Sequence, residues 1–420
     1  MGFPSGGSGV YQIPTGIDPT GATDSTAGLQ AAFDNVSKPV YIPPGDYSVT
    51  GLTIPANATI IGFNSQSYGP AQLTGQRSRI FLAPGSASPL LTADDSVNIA
   101  TNIRLRDLWL DGNLVGPDTL VFPALASNFD RFCYIERCYI TNGGKSGGVA
   151  GTSDECIYIG TNVATVKFIK CVIKWQGTLG NAGQGVAVVG NNINFESCLV
   201  GSFQGANQPS GINLGSGWDN RIVNCDIFAC TRGITMAGYG QVVSDCGLDH
   251  MLDCAILNYT GYSVISNNHF HSNSQGANGG NPDILVANSN TIGLVIEGNA
   301  FAPVDGGVTN LVSYAVSQSG TGNLLSIRKN SFAPNRATLG ETNYTGIQTS
   351  PTIPASGTAF AALGYDALWI FTDTGTGTSI VVDGKTYTIA ASSTQSIFVR
   401  AGAAPTPTYT TAPTLTVINC

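Results

Sequence analysis

The segment FIKCVIKWQG, Phe168 to Gly177, sets a cysteine inside an alternating apolar run, and the same form returns in FESCLVGSFQG and IVNCDIFAC. With Cys171 as position zero, the template falls on Leu108, Cys138, Cys171, Cys198, Cys225, Cys246, Asn268, Asn299 and Asn330. Two residues further on stand Leu110, Ile140, Ile173, Val200, Ile227, Leu248, Phe270, Phe301 and Phe332. The intervals are 30, 33, 27, 27, 21, 22, 31 and 31 residues. A second file interleaves with the first: Ile157, Val186, Ile212, Ile234, Ile256, Ile284 and Leu311. A repeat of this length is the signature of a solenoid, and period-two alternation inside each unit makes its elements strands rather than helices.

Short strands separated by Gly, Asn and Ser turns, with no helical pattern between them, imply an all-β chain wound as a single-stranded parallel β-helix. Coils stack at the inter-strand spacing of about 4.8 Å, so like residues lie above one another, and nine rungs give a rod of at least ~40 Å. Position zero then faces the interior, where a free thiol packs as a small hydrophobe. Further along, the file turns to Asn, whose buried amides satisfy each other from rung to rung. The ladder cysteines are therefore expected to be reduced core thiols rather than disulfides.

Composition narrows the partners. The chain has 420 residues, 42% hydrophobic and 10% charged, with 18 Lys and Arg and a net charge of −8. Without clustered cations no nucleic acid is expected as partner, because counterion release needs them. No apolar run reaches about 18 residues, so no membrane insertion is expected. The opening MGFPSGGSGVYQIPTG has neither a basic n-region nor an apolar h-region, and no secretory signal is read from it.

Four segments are expected: an N-terminal arm (1–17), a β-helix with a capping helix (18–340), a linker (341–358) and a C-terminal β module (359–420). In DPTGATDSTAGLQAAFDNVSKPVYIPPGDYSVTG, Asp24 or Ser25 can cap a short helix that buries Leu29, Ala32 and Phe33. This stretch resembles the N-terminal motif of the pectate-lyase-like superfamily of right-handed parallel β-helices. Asp24, Thr26, Leu29, Gln30, Ala32, Val40, Tyr41, Ile42, Pro43, Gly45 and Tyr47 match, and Ser25 stands where a second Asp is common. At the other end Asp383-Gly384 reads as a tight hairpin turn between Ile380–Val382 and Thr386–Ile389. That end resembles a small β-sandwich-like module of bacteriophage tail proteins, with Arg400 in place of a Pro and Leu415 in place of a Trp. The two resemblances imply a phage tailspike or tail fibre, typically a homotrimer that binds, and in some members cuts, host surface polysaccharide. They further imply assembly with other tail or baseplate proteins, synthesis in the bacterial cytoplasm and a place on the virion tail.

The sequence departs from the pectinolytic templates. The Asn-Thr-Asp, Asp-Asp, Gly-His-Gly and Arg-Ile-Lys series of polygalacturonases is absent in order, Asp94-Asp95 reads as a turn, and no acid-rich run supplies a calcium cluster. For glycoside hydrolase or lyase chemistry the candidate catalytic residues are Asp226, Asp249 and Asp253. Asp226 and Asp249 stand as diagonal neighbours, about 7–8 Å apart, a separation that suits paired carboxylates. Their ordinary alternative is solvated turn carboxylates. Asp154 and Glu155 form a weaker set. Arg106 with Glu136 and Asp107 with Arg137 stack at matching offsets and are read as a surface ion-pair patch. Trp175, Gln176, Phe203, Gln204, Trp218 and Arg232 are the candidate glycan-binding residues, since an aromatic face beside an amide suits a sugar's face and hydroxyls. Tyr239 is weighed with the aromatics. His269 and His271 are read as surface histidines, with no carboxylate seen beside them, and no metal or cofactor is expected.

Overall fold

A computed structural model gives the structure of the chain. It describes residues 11–63, 77–94, 102–114, 118–125, 129–143, 155–177, 184–205, 209–273, 281–288, 291–302, 315–318, 324–332, 353–360, 367–373, 378–399 and 403–419. Residues 1–10 of the arm, Asp95, Asp154, Leu311, most of the linker and Arg400 lie outside that set.

Parallel strands form three long sheets of 12, 10 and 11 strands. The chain is a right-handed parallel β-helix followed by small antiparallel sheets. A complete coil contributes one strand to each sheet. Around Cys171, for example, Val163–Ile169 lies in the third sheet, Val172–Lys174 in the first and Gln184–Val188 in the second. The repeat seen in the sequence is the observed register. In the first sheet Leu110, Ile140, Ile173, Val200, Ile227, Leu248, Phe270, Phe301 and Phe332 pair in series.

In the second sheet Ile157 pairs with Val186, and the series continues through Ile212, Ile234 and Ile256 to Ile284. One expectation is corrected here: Ile284 pairs with Val316 rather than Leu311. The rod also begins earlier than the ladder suggested. Thr20–Asp24, Gly45–Val49 and Ser78–Leu82 are three further strands of the first sheet, so twelve strands span roughly 50 Å at the inter-strand spacing.

The corner before position zero explains the file. The preceding residue is left-handed on all nine rungs, from Asp107 and Arg137 through Lys170 to Gly298 and Lys329, with φ between 50° and 66°. That conformation costs on the order of 1 kcal/mol for a non-glycine residue. It turns the chain so that position zero points inward. The costs recur at every corner, and the file itself offsets them.

Asn268, Asn299 and Asn330 form a bonded ladder. The Asn299 Oδ1 accepts from both the backbone N and the Nδ2 of Asn268, at 2.9 and 3.0 Å, and Asn330 Oδ1 does the same for Asn299. Each Nδ2 also donates to a carbonyl one rung back: Asn268 to Val243, Asn299 to Ile265, Asn330 to Ile296. The thiols reproduce this pattern more weakly. The Sγ of Cys198, Cys225 and Cys246 donate to the carbonyls of Phe168, Phe195 and Ile222, the same offset. Cys225 Sγ accepts from Cys198 N at 3.3 Å, and Cys246 N donates to Asn268 Oδ1 at 3.0 Å where the two chemistries meet. All nine cysteines among the described residues are free and buried. Burial pushes the thiols of Cys156, Cys230 and Cys254 up to about 12.

Helix Thr26–Asp34 closes the N-terminal end and buries Leu29, Ala32 and Phe33. Neither expected cap acts as a conventional N-cap. Ser25 Oγ accepts from Asp18 N at 2.9 Å, and Asp24 Oδ1 accepts from Thr26 N at 2.9 Å. Tyr47, buried, donates its hydroxyl to Pro43 O. In the C-terminal part, Thr378–Val382 and Lys385–Ile389 pair antiparallel across Asp383 (φ 49°) and Gly384 (φ 75°), the two-residue turn read from the sequence. Two three-stranded sheets share a core that includes Trp369, Phe371 and Ile380.

Candidate functional site

Two surface features stand out on the same rungs. The first is an exposed aromatic file at the corner joining the second sheet to the third. Trp218, Tyr239 and Tyr262 are 61%, 53% and 65% exposed. The Trp218 and Tyr239 rings meet edge to face with centroids at 6.3 Å, and Tyr239 and Tyr262 follow at 6.5 Å. Aromatic side chains this exposed, in contact and in file, are unusual on a lone surface.

The corner beneath them is fixed by backbone and by buried amides. Trp218 N donates to Asn191 Oδ1 at 2.8 Å, and Asp219 N to Tyr239 O at 3.1 Å. Below the ridge the fully buried Asn220 takes Ile193 N and gives its Nδ2 to Gly190 O, while Gln241 Nε2 reaches the carbonyls of Leu214 and Gly215. Successive corners approach so closely that a Cβ on Gly238 would lie 1.7 Å from Gly217 O, so only glycine fits there. Beside the ridge, on the third sheet, a polar groove of about 330 Å³ is lined by Lys167, Asn192, Asn194, Glu196, Asp219 and Arg221 among others.

The second feature lies on the outer face of the first sheet. A shallow cleft of about 450 Å³ is lined by Asp226, Phe228, Gly247, Asp249, His269 and His271, together with the strand residues Ile227 and Leu248. Asp226 pairs in register with Gly247 and Phe228 with Asp249, so the two aspartates are diagonal neighbours on adjacent rungs. A Cβ on Gly247 would come within 2.8 Å of Asp226 Oδ1; the glycine leaves the notch that the carboxylate fills. Asp249 Oδ1 contacts His250 Nδ1 at 2.5 Å and His271 Nδ1 at 3.0 Å. The reading that no carboxylate adjoins the histidines is thereby corrected. His271 faces Asp249 because the two are register partners on adjacent strands, 22 residues apart in the chain.

The remaining sequence candidates are placed elsewhere. Asp253 bonds Arg232 Nε at 2.7 Å, an ion pair that involves both residues outside the cleft. Trp175 and Phe203 are buried, at 2% and 0% exposure, and belong to the core. The corner after the first-sheet strand turns them inward, so neither ring can meet a sugar. Gln176 is tied to Asn142 and to the Tyr139 hydroxyl, and Gln204 is half-buried on the following loop. Glu155 is buried in a second-sheet strand. Tyr262 and His250 are the residues that sequence reasoning missed. Both occupy left-handed corner positions (φ 52° and 56°), where the alternation rule for strands does not apply.

The expected ion-pair patch is present. Arg137 grips Asp107 in bidentate fashion, Nε at 2.8 Å and Nη2 at 2.6 Å, and also meets Glu136. Arg106 joins it through Asp107 at 3.2 Å. The hydrogen bond to Asp107 raises the Arg137 pKa above its ordinary value. Four charges neutralised in this way are a corner brace rather than a reactive site.

No family model matches the chain, and no curated protein matches it. Solved structures do. The enzymatically active domain of tailspike protein 2 from bacteriophage CBA120 superposes with a TM-score of 0.56 at 11% identity, over 91% of this chain and 68% of that one. The chain shares with that domain the parallel β-helix fold. Full-length tailspike protein 2 from the Escherichia coli O157:H7 bacteriophage CAB120 gives 0.56 at 13% identity, over 91% of this chain and 61% of that one. DFA-IIIase from Arthrobacter chlorophenolicus A6, solved in complex with GF2, gives 0.55 at 13% identity, over 77% and 84%. At these identities the likeness is one of fold.

Proposed function

We propose that this chain is the β-helix of a phage tail spike that recognises host cell-surface polysaccharide during adsorption. The observation that carries the reading is the exposed file of Trp218, Tyr239 and Tyr262, held on a rigid corner beside the polar groove. Aromatic faces cover the apolar faces of sugar rings, and neighbouring amides and charges take their hydroxyls and acidic groups. A solenoid suits an extended polymer because its sites recur along one axis. The tailspike fold supports the assignment to a virion tail, with other tail proteins as partners and a homotrimer as assembly. The C-terminal β module is proposed to serve trimerisation or receptor binding.

The test is an array of bacterial capsule and O-antigen polysaccharides probed with the full chain. Binding to at least one polymer, weakened about tenfold in Trp218→Ala, is the expected result. No binding to any polymer would favour a purely structural tail component, and undiminished binding by the variant would remove the ridge from the account.

A second reading, polysaccharide depolymerase, draws on the cleft. Asp226 and Asp249 are diagonal neighbours, a separation of about 7–8 Å that fits the inverting geometry of glycoside hydrolysis. In this scheme Asp249, facing two imidazoles, is the base that activates water, and Asp226 protonates the leaving oxygen. Reducing-end release from a bound polymer, abolished in Asp249→Asn and in Asp226→Asn, is the expected outcome; release by both variants at the wild-type rate would exclude these residues. The ridge and the cleft lie on different sides of the coil, so recognition and cleavage are separable by mutation.

A further inference from the structure

The chain has three histidines in 420 residues, and all three gather on one patch of the first sheet. The His250 and His271 rings lie 6.0 Å apart, and His269 and His271 6.2 Å. One ligand atom each from Asp249, His250 and His271 fall within 4.8 Å of one another. From these observations we propose that Asp249, His250 and His271 form a binding site for a divalent first-row transition-metal ion, most simply Zn²⁺.

The donor set selects the ion class. Two imidazole nitrogens and one carboxylate suit zinc, iron(II), cobalt or nickel, whereas calcium and magnesium require oxygen ligands throughout. Zinc holds nitrogen at about 2.0–2.1 Å and carboxylate oxygen at about 2.0–2.2 Å. Donors already converging on one carboxylate oxygen, at 2.5 and 3.0 Å, need only small rotations to surround an ion.

Backbone geometry sets the three in place. Asp249 and His271 are register partners on adjacent parallel strands, so their side chains leave the same face of the sheet. His250 follows Asp249 directly and in an extended strand would point the other way. Its φ of 56° breaks that alternation, and its Nδ1 returns to the Asp249 carboxylate. His250 N donates to His271 O at 3.2 Å, which ties the corner to the strand above. Charge favours a cation as well: among the described residues the adjoining cleft is lined by Asp226 and Asp249, and the lysine nearest in that wall, Lys174, has its Nζ over the Phe228 ring, 5.6 Å from its centroid. Three protein ligands leave the remaining coordination positions open toward that cleft.

The site shares Asp249 with the depolymerase reading but does not depend on it, since uptake of the metal alone is measured with no glycan present. The full chain, free of any polyhistidine tag and stripped with chelator, is titrated with Zn²⁺ by calorimetry. One ion per chain is expected, with binding at least tenfold weaker in Asp249→Asn, His250→Ala and His271→Ala and within about threefold of wild type in His269→Ala. Melting curves recorded without metal establish that each variant is folded. Should a variant not fold, Cu²⁺ electron paramagnetic resonance on the wild-type chain supplies the answer, with hyperfine coupling to two imidazole nitrogens expected. Absence of uptake, uptake unaltered by all three ligand substitutions, or a copper spectrum without nitrogen coupling would overturn the proposal.

Discussion

Two files of stacked side chains run along the same rod, one inside and one outside. The interior file passes from Cys138 to Cys246 and on to Asn330, and its thiols and amides are bonded to the rungs on either side. The exterior file of Trp218, Tyr239 and Tyr262 is stacked by the same coil repeat, yet more than half of each side chain's surface faces solvent. Stacking is what a β-helix does to any repeated position. An interior stack is consumed by the fold; an exterior stack keeps its ring faces available. Substitutions in the first file should therefore change stability and leave recognition alone, and substitutions in the second should do the reverse.

The largest separation is expected from pH. The thiols of Cys156, Cys230 and Cys254, core residues outside the file, are raised to about 12, against an ordinary value near 8.5. A raised acid stays protonated in the fold, so its contribution is complete below about pH 8.5 and is lost progressively as pH climbs toward 12. Urea midpoints should hold from about pH 7.5 to about 8.5 and fall steadily from there to about 10.5, and a flat profile throughout would contradict the assignment of these thiols to a dry interior.

Next in size is Asn299→Leu, which strands the N–H and Nδ2 of Asn268 and the carbonyl of Ile265. Loss of about 3–5 kcal/mol in denaturant unfolding is expected. Cys225→Ala removes weaker bonds and a small volume, and about 1–3 kcal/mol is expected. Should the two substitutions cost the same, the thiol would be doing more than imitating the amide. The smallest change in stability is expected outside: Trp218→Ala should stay within about 0.5 kcal/mol while weakening polysaccharide binding about tenfold.

Much of this contrast was legible in the chain. The interior file was visible because it needs a small or amide side chain at one fixed offset, and the offsets matched the register from Leu110 to Phe332. The earlier strands Thr20–Asp24, Gly45–Val49 and Ser78–Leu82 fall inside the 18–340 expected for the β-helix but not on the ladder, because no thiol or amide marks their corners. The exterior file was seen only in part. Trp218 and Tyr239 stand out by residue type, but Tyr262 sits at a left-handed corner that alternation cannot place. Trp175 and Phe203 misled for the opposite reason: aromatic residues next to amides look like a sugar site until the corner turns them into the core. His250 was hidden by the same rule that hid Tyr262.

Of the four tryptophans, Trp109, Trp175 and Trp369 are at most 5% exposed and Trp218 is 61% exposed, so collisional quenching by acrylamide reports on the ridge almost alone. Quenching is measured with and without a polysaccharide that the chain binds. Loss of the quenchable component on binding, and its absence from Trp218→Phe throughout, is the expected result. Full binding with Trp218 as quenchable as before would place the sugar elsewhere on the rod and contradict the account.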